Sequence, residues 1–325
     1  MSSQNKIPPP ADPLWMSVSS SLADIPKSRK MLVGVSGGRD SMVLLDALLK
    51  CGFTNLVVCH LNHTLRGRSA SADERFVTRE AVRRGLRVEI ARSRTADFAK
   101  ENSLSIELAA RELRYAFFQE CAKRTRCRIL LLAHHADDQV ETCLFNFLRG
   151  TGAAGLGGMK PIAKRGSMTI RRPMLGVTRA EILDYQKQHG IRFREDASNA
   201  EIRHTRNKLR LHIIPSIEEA MGPSFRHAIL RAADILRSED EWMTGLTPQP
   251  GEKLSLKALR QMHPAAQARL VLAWLKIHDI PEAGFKETNR VLSLLDISNP
   301  AKVNLPGDWH ARRRAGVLFL VRSSR

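Results

Sequence analysis

Residues 31–41 read Met31-Leu32-Val33-Gly34-Val35-Ser36-Gly37-Gly38-Arg39-Asp40-Ser41, and Met42 to Leu49 carry an apolar helical pattern. An apolar run, a Gly-Gly turn and a helix, in that order, predict a buried strand that turns sharply into a helix. The alternation continues outward. Leu56–Cys59 and Leu86–Ala91 read as strands, with a helix over Ala70–Arg84 between them. Ile106–Arg124 has helical periodicity, Ile129–Ala133 reads as a fourth strand and Gln139–Leu148 as another helix. Met168–Arg172 and Thr178–His189 extend the series. Strands alternating with helices predict an α/β fold with a doubly wound, mostly parallel sheet.

Further along, Pro215 and the Gly222–Pro223 pair break the pattern. Phe225–Trp242 and Leu254–Leu295 read as helical, and Lys302–Arg322 as a small β unit turning at Pro306–Gly307. This predicts a smaller, mainly helical domain after the first. The expected boundaries are a flexible leader over residues 1–24, a first domain over 25–215 and a second over 216–325. A length of 325 residues suits two domains.

Lys plus Arg number 52 against 33 Asp plus Glu, a formal net charge of +19. Such an excess suits a protein that meets a polyanion, because Lys and Arg displace counterions from phosphates. Residues 164–210 alone carry 12 Lys or Arg against 5 acidic residues. Aromatic residues are only 5%, so stacking of single-stranded bases is not the expected mode of binding. No apolar run approaches the roughly 20 residues of a membrane span. The five cysteines, Cys51, Cys59, Cys121, Cys127 and Cys143, include no Cys-x-x-Cys pair, which points to a reducing compartment. The start, MSSQNKIPPPADPLW, lacks the apolar core of a signal peptide, so a cytoplasmic protein is expected.

In an open parallel sheet, ligands collect at the carboxyl ends of the strands. Three predicted strands run into polar clusters: Ser36–Ser41, His60-Leu61-Asn62-His63, and His134-His135-Ala136-Asp137-Asp138. Gly37 and Gly38 let the backbone come close to a phosphate, and Ser36 and Ser41 add hydroxyls. Asp40 would repel that phosphate unless Mg²⁺ bridges the two. The other reading of Ser36–Ser41 is a tight turn that caps a helix. The His134–Asp138 cluster has three readings: a zinc site, a Mg²⁺ and phosphate site, or a helix cap beside a core histidine. Arg111 and Arg114 share one helix face and would stabilise charge on a leaving pyrophosphate; a solvated face is the other reading. Gly150, Gly152 and Gly155 form a Gly-x-Gly-x-x-Gly, but it follows a helix, so a mobile substrate loop is expected rather than a dinucleotide fold.

The segment Ser36-Gly37-Gly38-Arg39-Asp40-Ser41 resembles the PP-loop signature of N-type ATP pyrophosphatases. A longer series follows in order: His60–Gly67, Ala110–Tyr115, Ala133–Thr142, Arg149–Gly152, Gly155–Met159, Arg172-Pro173, Glu195–Asn199 and Arg206-Asn207-x-x-Arg210. Over residues 30–215 the chain is similar to the tRNA(Ile)-lysidine synthase family. That resemblance implies ATP and Mg²⁺ as cofactors, and free L-lysine and tRNA(Ile) with a CAU anticodon as partners. The reaction it implies adenylates the wobble cytidine and then replaces AMP with the lysine ε-amine. Carried onto this chain, ATP would meet Ser36, Gly37, Gly38, Arg39, Asp40, Ser41, His60 and Asn62. Asp40 and Asp138 would hold Mg²⁺, and Asp40, Arg111, His134 and Asp138 would form the catalytic set. Asp137, Glu141 and Glu107 are the candidates for lysine, and Arg206, Lys208 and Arg210 for the tRNA backbone. The rivals are a tRNA thiolase, a zinc hydrolase on His134, His135 and Asp138, and a basic RNA-binding protein without catalysis.

Overall fold

The computed structural model describes residues 12–65, 67–195 and 205–323. The chain divides into two compact units, one reaching to Asp234 and the other starting at Ile235.

The first unit is built on six strands: β1 (Met31–Gly34), β2 (Leu56–Asn62), β3 (Arg87–Arg92), β4 (Ile129–Leu131), β5 (Ile162–Arg165) and β6 (Met168–Arg171). Their order across the sheet is β3-β2-β1-β4-β6-β5. All pairings are parallel except that of β5 with β6. The doubly wound, mostly parallel sheet expected from the sequence is therefore present. Met31, Leu32 and Val33 are fully buried, as a central parallel strand covered on both faces requires.

Helices cover the two faces: α1 (Pro13–Ser21), α2 (Arg39–Lys50), α3 (Arg68–Arg83), α4 (Thr95–Glu101), α5 (Ile106–Thr125), α6 (Ala136–Leu148), α7 (Ala153–Leu156) and α8 (Arg179–Gln188). One core packs Leu14, Leu44, Leu48 and Tyr185 against Met31, Val33 and Leu131. The other packs Phe117, Phe118 and Cys121 of α5 against Leu32, Val57 and Leu130. Gly34 lets α5 come close, since a Cβ there would lie 3.0 Å from the Phe118 ring.

Two boundaries differ from the expectation. Residues 13–21 of the predicted leader form α1. Asp12 caps it by accepting the Leu14 N–H at 2.8 Å, and Pro13 occupies its first turn. Leu14, Val18 and Leu22 recur at helical spacing and are fully buried. At the other end, Pro215 lies in the first turn of α10 (Ile214–Met221), directly after a π turn, so the helical path runs through the proline and does not end at it. Before it come α9 (Thr205–Lys208) and a π turn over Leu209–Ile213, and after it α11 (Ser224–Leu246). Arg226 of α11 joins Glu218 of α10 and Asp137 of α6, so the chain beyond 215 still belongs to the first unit.

The second unit holds β7 (Leu254–Ser255), α12 (Leu256–Gln261), α13 (Pro264–Ile277), α14 (Phe285–Leu292), β8 (Lys302–Leu305), β9 (Trp309–Arg314) and β10 (Val317–Arg322). Its antiparallel sheet, β7-β10-β9-β8, forms one wall of a core around Trp274, Val271, Leu294 and Leu318. It is thus a mixed helical and sheet unit. No helix among the described residues is long and apolar enough to cross a membrane.

Removing a buried side chain from α1 tests whether it is part of the core. Leu14→Ala is expected to cost about 2–5 kcal/mol, as buried Leu→Ala changes do. Urea denaturation would read this as a lowered midpoint, and a loss under about 1 kcal/mol would mean that α1 does not dock.

Candidate active site

Between β1 and α2 the chain turns at Gly37, whose φ of +93° is natural only to glycine. Any Cβ there would also lie 3.2 Å from Val77 of α3. Gly38 then opens α2 with no side-chain cap, so the first-turn N–H groups face outward and suit an anion. Ser36 and Ser41 hold the turn from inside. Ser41 Oγ accepts the Ser36 N–H at 3.2 Å and donates to the Gly38 carbonyl at 2.9 Å. A second segment lies across the turn: the Arg194 N–H donates to the Gly37 carbonyl at 2.9 Å, and Arg39 stacks on Phe193 at 4.4 Å.

Because β1 and β4 are parallel, His134 and His135 emerge beside this turn. The backbone at His135 is extended (φ −130°, ψ −179°), so neighbouring side chains point to opposite sides. His135 enters an acidic environment. Its Nε2 lies 3.7 Å from Asp40 and 3.5 Å from Asp138, and its Nδ1 is 3.7 Å from Asp137. Burial works to lower the His135 pKa, but these carboxylates hold it above the ordinary value. Burial likewise works to raise Asp40, yet His135, Arg179 and Arg39 hold it below the usual carboxylate range.

His134 meets the opposite environment. Its Nδ1 accepts a hydrogen bond from Arg172 Nε at 3.1 Å, and Arg172 also donates to the Lys160 carbonyl at 2.6 Å. Burial, then Arg172, Arg114, Arg111 and His135, push the His134 pKa down to about 3. His134 is therefore a neutral imidazole with its proton on Nε2, a donor without charge of its own. Among the described residues no group of three His, Cys, Asp or Glu side chains is placed to hold a metal ion. The zinc reading also fails on geometry, because the two histidines diverge and cations surround one of them.

Asp138 and Glu141 lie on α6 within reach of Arg210. Arg210 donates to Glu141 Oε1 at 2.5 Å, to Glu141 Oε2 at 3.1 Å and to Asp138 Oδ1 at 3.2 Å. Arg210, expected on the tRNA backbone, is thus engaged with two carboxylates inside the site. Lys208 is exposed, while the Arg206 side chain lies outside the described residues. Asp137 accepts the Arg179 N–H at 2.9 Å and an Arg226 N–H at 2.8 Å, so it anchors α8 and α11 instead of waiting for an ammonium group. Glu107 is exposed on α5, on the same face as Arg111 and Arg114.

The second cluster splits. His60 is buried; its Nδ1–H donates to the Val35 carbonyl at 2.8 Å, and its Nε2 has no hydrogen-bond partner among the described residues. It is a buried acceptor beside the turn. Asn62, expected at ATP, instead accepts the Thr64 N–H at 2.9 Å and donates to Glu74 at 2.9 Å. Both ends of its amide brace the loop after β2. The Gly150–Gly158 segment, expected to be mobile, contains α7 and is tied to α6. Gln139 donates to the Gly157 carbonyl at 3.1 Å and accepts the Met159 N–H at 2.7 Å, and Asn146 donates to the Gly155 carbonyl at 2.8 Å.

Arg172 is the functional candidate to which the sequence reading gave no role. It follows β6, which parallels β4, so a fourth strand end delivers it to the same edge. The strand-end rule, applied to β6 as well, finds it.

A family model described as the PP-loop domain matches residues 14–217. The chain belongs to the PP-loop family. A second model, the TilS substrate binding domain, matches residues 254–319. Among curated relatives, the tRNA(Ile)-lysidine synthase of Bacteroides thetaiotaomicron is 41% identical over 64% of this chain and 47% of its own length. That of Bacillus subtilis is 36% identical over 70% of this chain and 48% of its length. That of Caldanaerobacter subterraneus subsp. tengcongensis is 35% identical over 88% and 64% respectively. The similarity read from the motifs is therefore present, and the chain spans about half the length of the first two relatives. Among solved structures, the U34-tRNA thiolase NcsA from Methanococcus maripaludis shares the fold, with a TM-score of 0.58 at 17% identity over 69% of this chain and 78% of that one. Here all five cysteines are buried and none forms a disulfide.

The two histidines should titrate differently. In ¹⁵N NMR spectra, His134 stays neutral with its proton on Nε2 throughout pH 5–8. Arg172→Gln raises its pKa, because it removes a neighbouring cation. The unfolded chain binds this proton below about pH 6.5 while the folded one does not until about 3, so wild-type stability falls with acidification across that window. Titration of the two imidazoles at a common midpoint would refute the assignment.

Proposed function

We propose that this PP-loop protein is an ATP-dependent carbon–nitrogen ligase that joins free L-lysine to the wobble cytidine of tRNA(Ile) with a CAU anticodon. The observation that carries the proposal is the pairing of an uncapped α2 N-terminus with an ionised Asp40, in a chain similar to tRNA(Ile)-lysidine synthases. The first-turn N–H groups of α2 take the phosphates, with Ser36 and Ser41 beside them. The buried acceptor of His60 is available to a base amino group.

The carboxylates fit Mg²⁺. Asp40 is 43% exposed, and its contact with His135 at 3.7 Å is too long for a full hydrogen bond. Asp138 stands on the other side of the same imidazole. Asp40 and Asp138 would hold such an ion beside the phosphates. When bound, Mg²⁺ would supply charge neutralisation on the triphosphate.

In the first step the ring carbonyl oxygen of cytidine attacks the α-phosphorus and pyrophosphate leaves. His134 Nε2–H, with Arg111, Arg114 and Arg172, gathers donors for the phosphate charge that develops. In the second step the lysine ε-amine attacks the ring carbon and AMP departs with the oxygen. The amine must first lose a proton. Burial raises the Glu141 carboxyl despite Arg210, which suits a proton acceptor. Glu141 is therefore the proposed lysine end of the site, with Glu107 further out. Lys208 and Arg206 are proposed on the tRNA backbone. The product reads AUA in place of AUG.

The test is labelled lysine incorporation into an unmodified CAU-anticodon tRNA with ATP and Mg²⁺. ATP-dependent label that falls by about 10²–10³-fold in Asp40→Ala is the expected result. Pyrophosphate release without label would leave activation standing and overturn lysine as the nucleophile. Absence of both would overturn the reading as a whole.

A further inference from the structure

The amino ends of β1 and β4 lie side by side on the sheet edge opposite the PP-loop. A cavity of about 390 Å³ opens between them, lined by Pro26, Ser28, Arg29, Lys30, Arg126, Cys127 and Arg128. Four of these seven residues are cationic and none is acidic. Among the described residues, none of the four cations forms an ion pair with a carboxylate. Lys30 Nζ donates to the Thr125 carbonyl at 3.3 Å, a neutral partner. Arg126 ends α5 in the left-handed conformation, φ +52°, a position usually held by glycine. Arg126, and Lys30 on the Thr125 carbonyl, suit the negative end of the α5 dipole, which accounts for two of the four charges but not for Arg29 and Arg128.

Like charges gathered around one concave opening repel each other unless an anion joins them. We propose that this cavity is a second phosphate-binding site. The six residue steps from Lys30 to Ser36 put it roughly 20 Å from the PP-loop along an extended strand. It is therefore distinct from the catalytic edge, and it does not depend on which nucleophile the enzyme uses. The phosphate it takes is either an ester of an RNA backbone or a free inorganic anion. Arginine forks recognise both through the same oxygens.

The experiment compares the wild-type chain with Arg126→Gly/Arg128→Ala. Glycine at 126 removes the charge while fitting the left-handed backbone, so folding is not put at risk there. Arg75→Ala/Arg79→Ala on α3 removes the same charge elsewhere. One arm titrates inorganic phosphate by calorimetry, and the other measures tRNA binding by anisotropy across a salt series. Loss of tRNA affinity by tenfold or more, with a salt slope shallower by about one for each phosphate no longer held, assigns the site to RNA. Loss of inorganic phosphate binding alone assigns it to a free anion. If neither arm moves by more than twofold, or if the α3 variant moves both equally, the proposal is overturned.

Discussion

Two adjacent histidines leaving one buried strand divide the site by charge. The extended backbone at His135 sends its ring toward Asp40, Asp137 and Asp138, while His134 faces Arg172. One imidazole is held above its ordinary pKa and the other far below it, although they are neighbours in sequence. A cation-accepting half and an anion-accepting half are thereby set a few ångströms apart, with a single strand end between them. The proposed reaction, which handles phosphates and a primary amine together, would use such a division.

Arg210 illustrates how finely that division is balanced. It forms ion pairs with Glu141 and Asp138 on the acidic side. Burial favours the protonated form of Glu141, and Arg210 opposes this. Removing one partner of such a buried pair leaves the other charge uncompensated, which costs more than the pair itself contributes. The amide clamps of Gln139 and Asn146 fix the α6 side of the site in the same economical way, through carbonyls and not through charge.

Much of the fold was legible because periodicity reports burial, and the central strands are apolar runs. β1, β2 and β4, with their polar exits, could be read directly. The edge strand β5 and the short helix α4 could not, since both mix charged residues among the apolar ones. Helix α1 was obscured by its proline-rich approach, although Asp12-Pro13 is itself a helix-start signal. Among site residues, sequence placed His134, Asp40 and Asp138 at one edge but could not say which way each ring or carboxylate turns. That depends on the backbone angle at His135. The partners of Arg210 and Asn62 are tertiary pairings across as many as 72 residues, which no local pattern encodes.

The docking of α1 also bears on the order of assembly. Ser17 donates to the Pro173 carbonyl, a contact spanning 156 residues, and Arg171 reaches back to the Ser21 carbonyl. These two contacts flank Arg172. Helix α1 also packs on Leu44 and Leu48 of α2, which follow it closely in sequence, but its partners Arg171 and Pro173 come only after the strands of the central sheet. Contacts of such separation form late and slow the folding of the unit. The guanidinium that sets His134 would thus take its final position only when α1 closes over the end of β6.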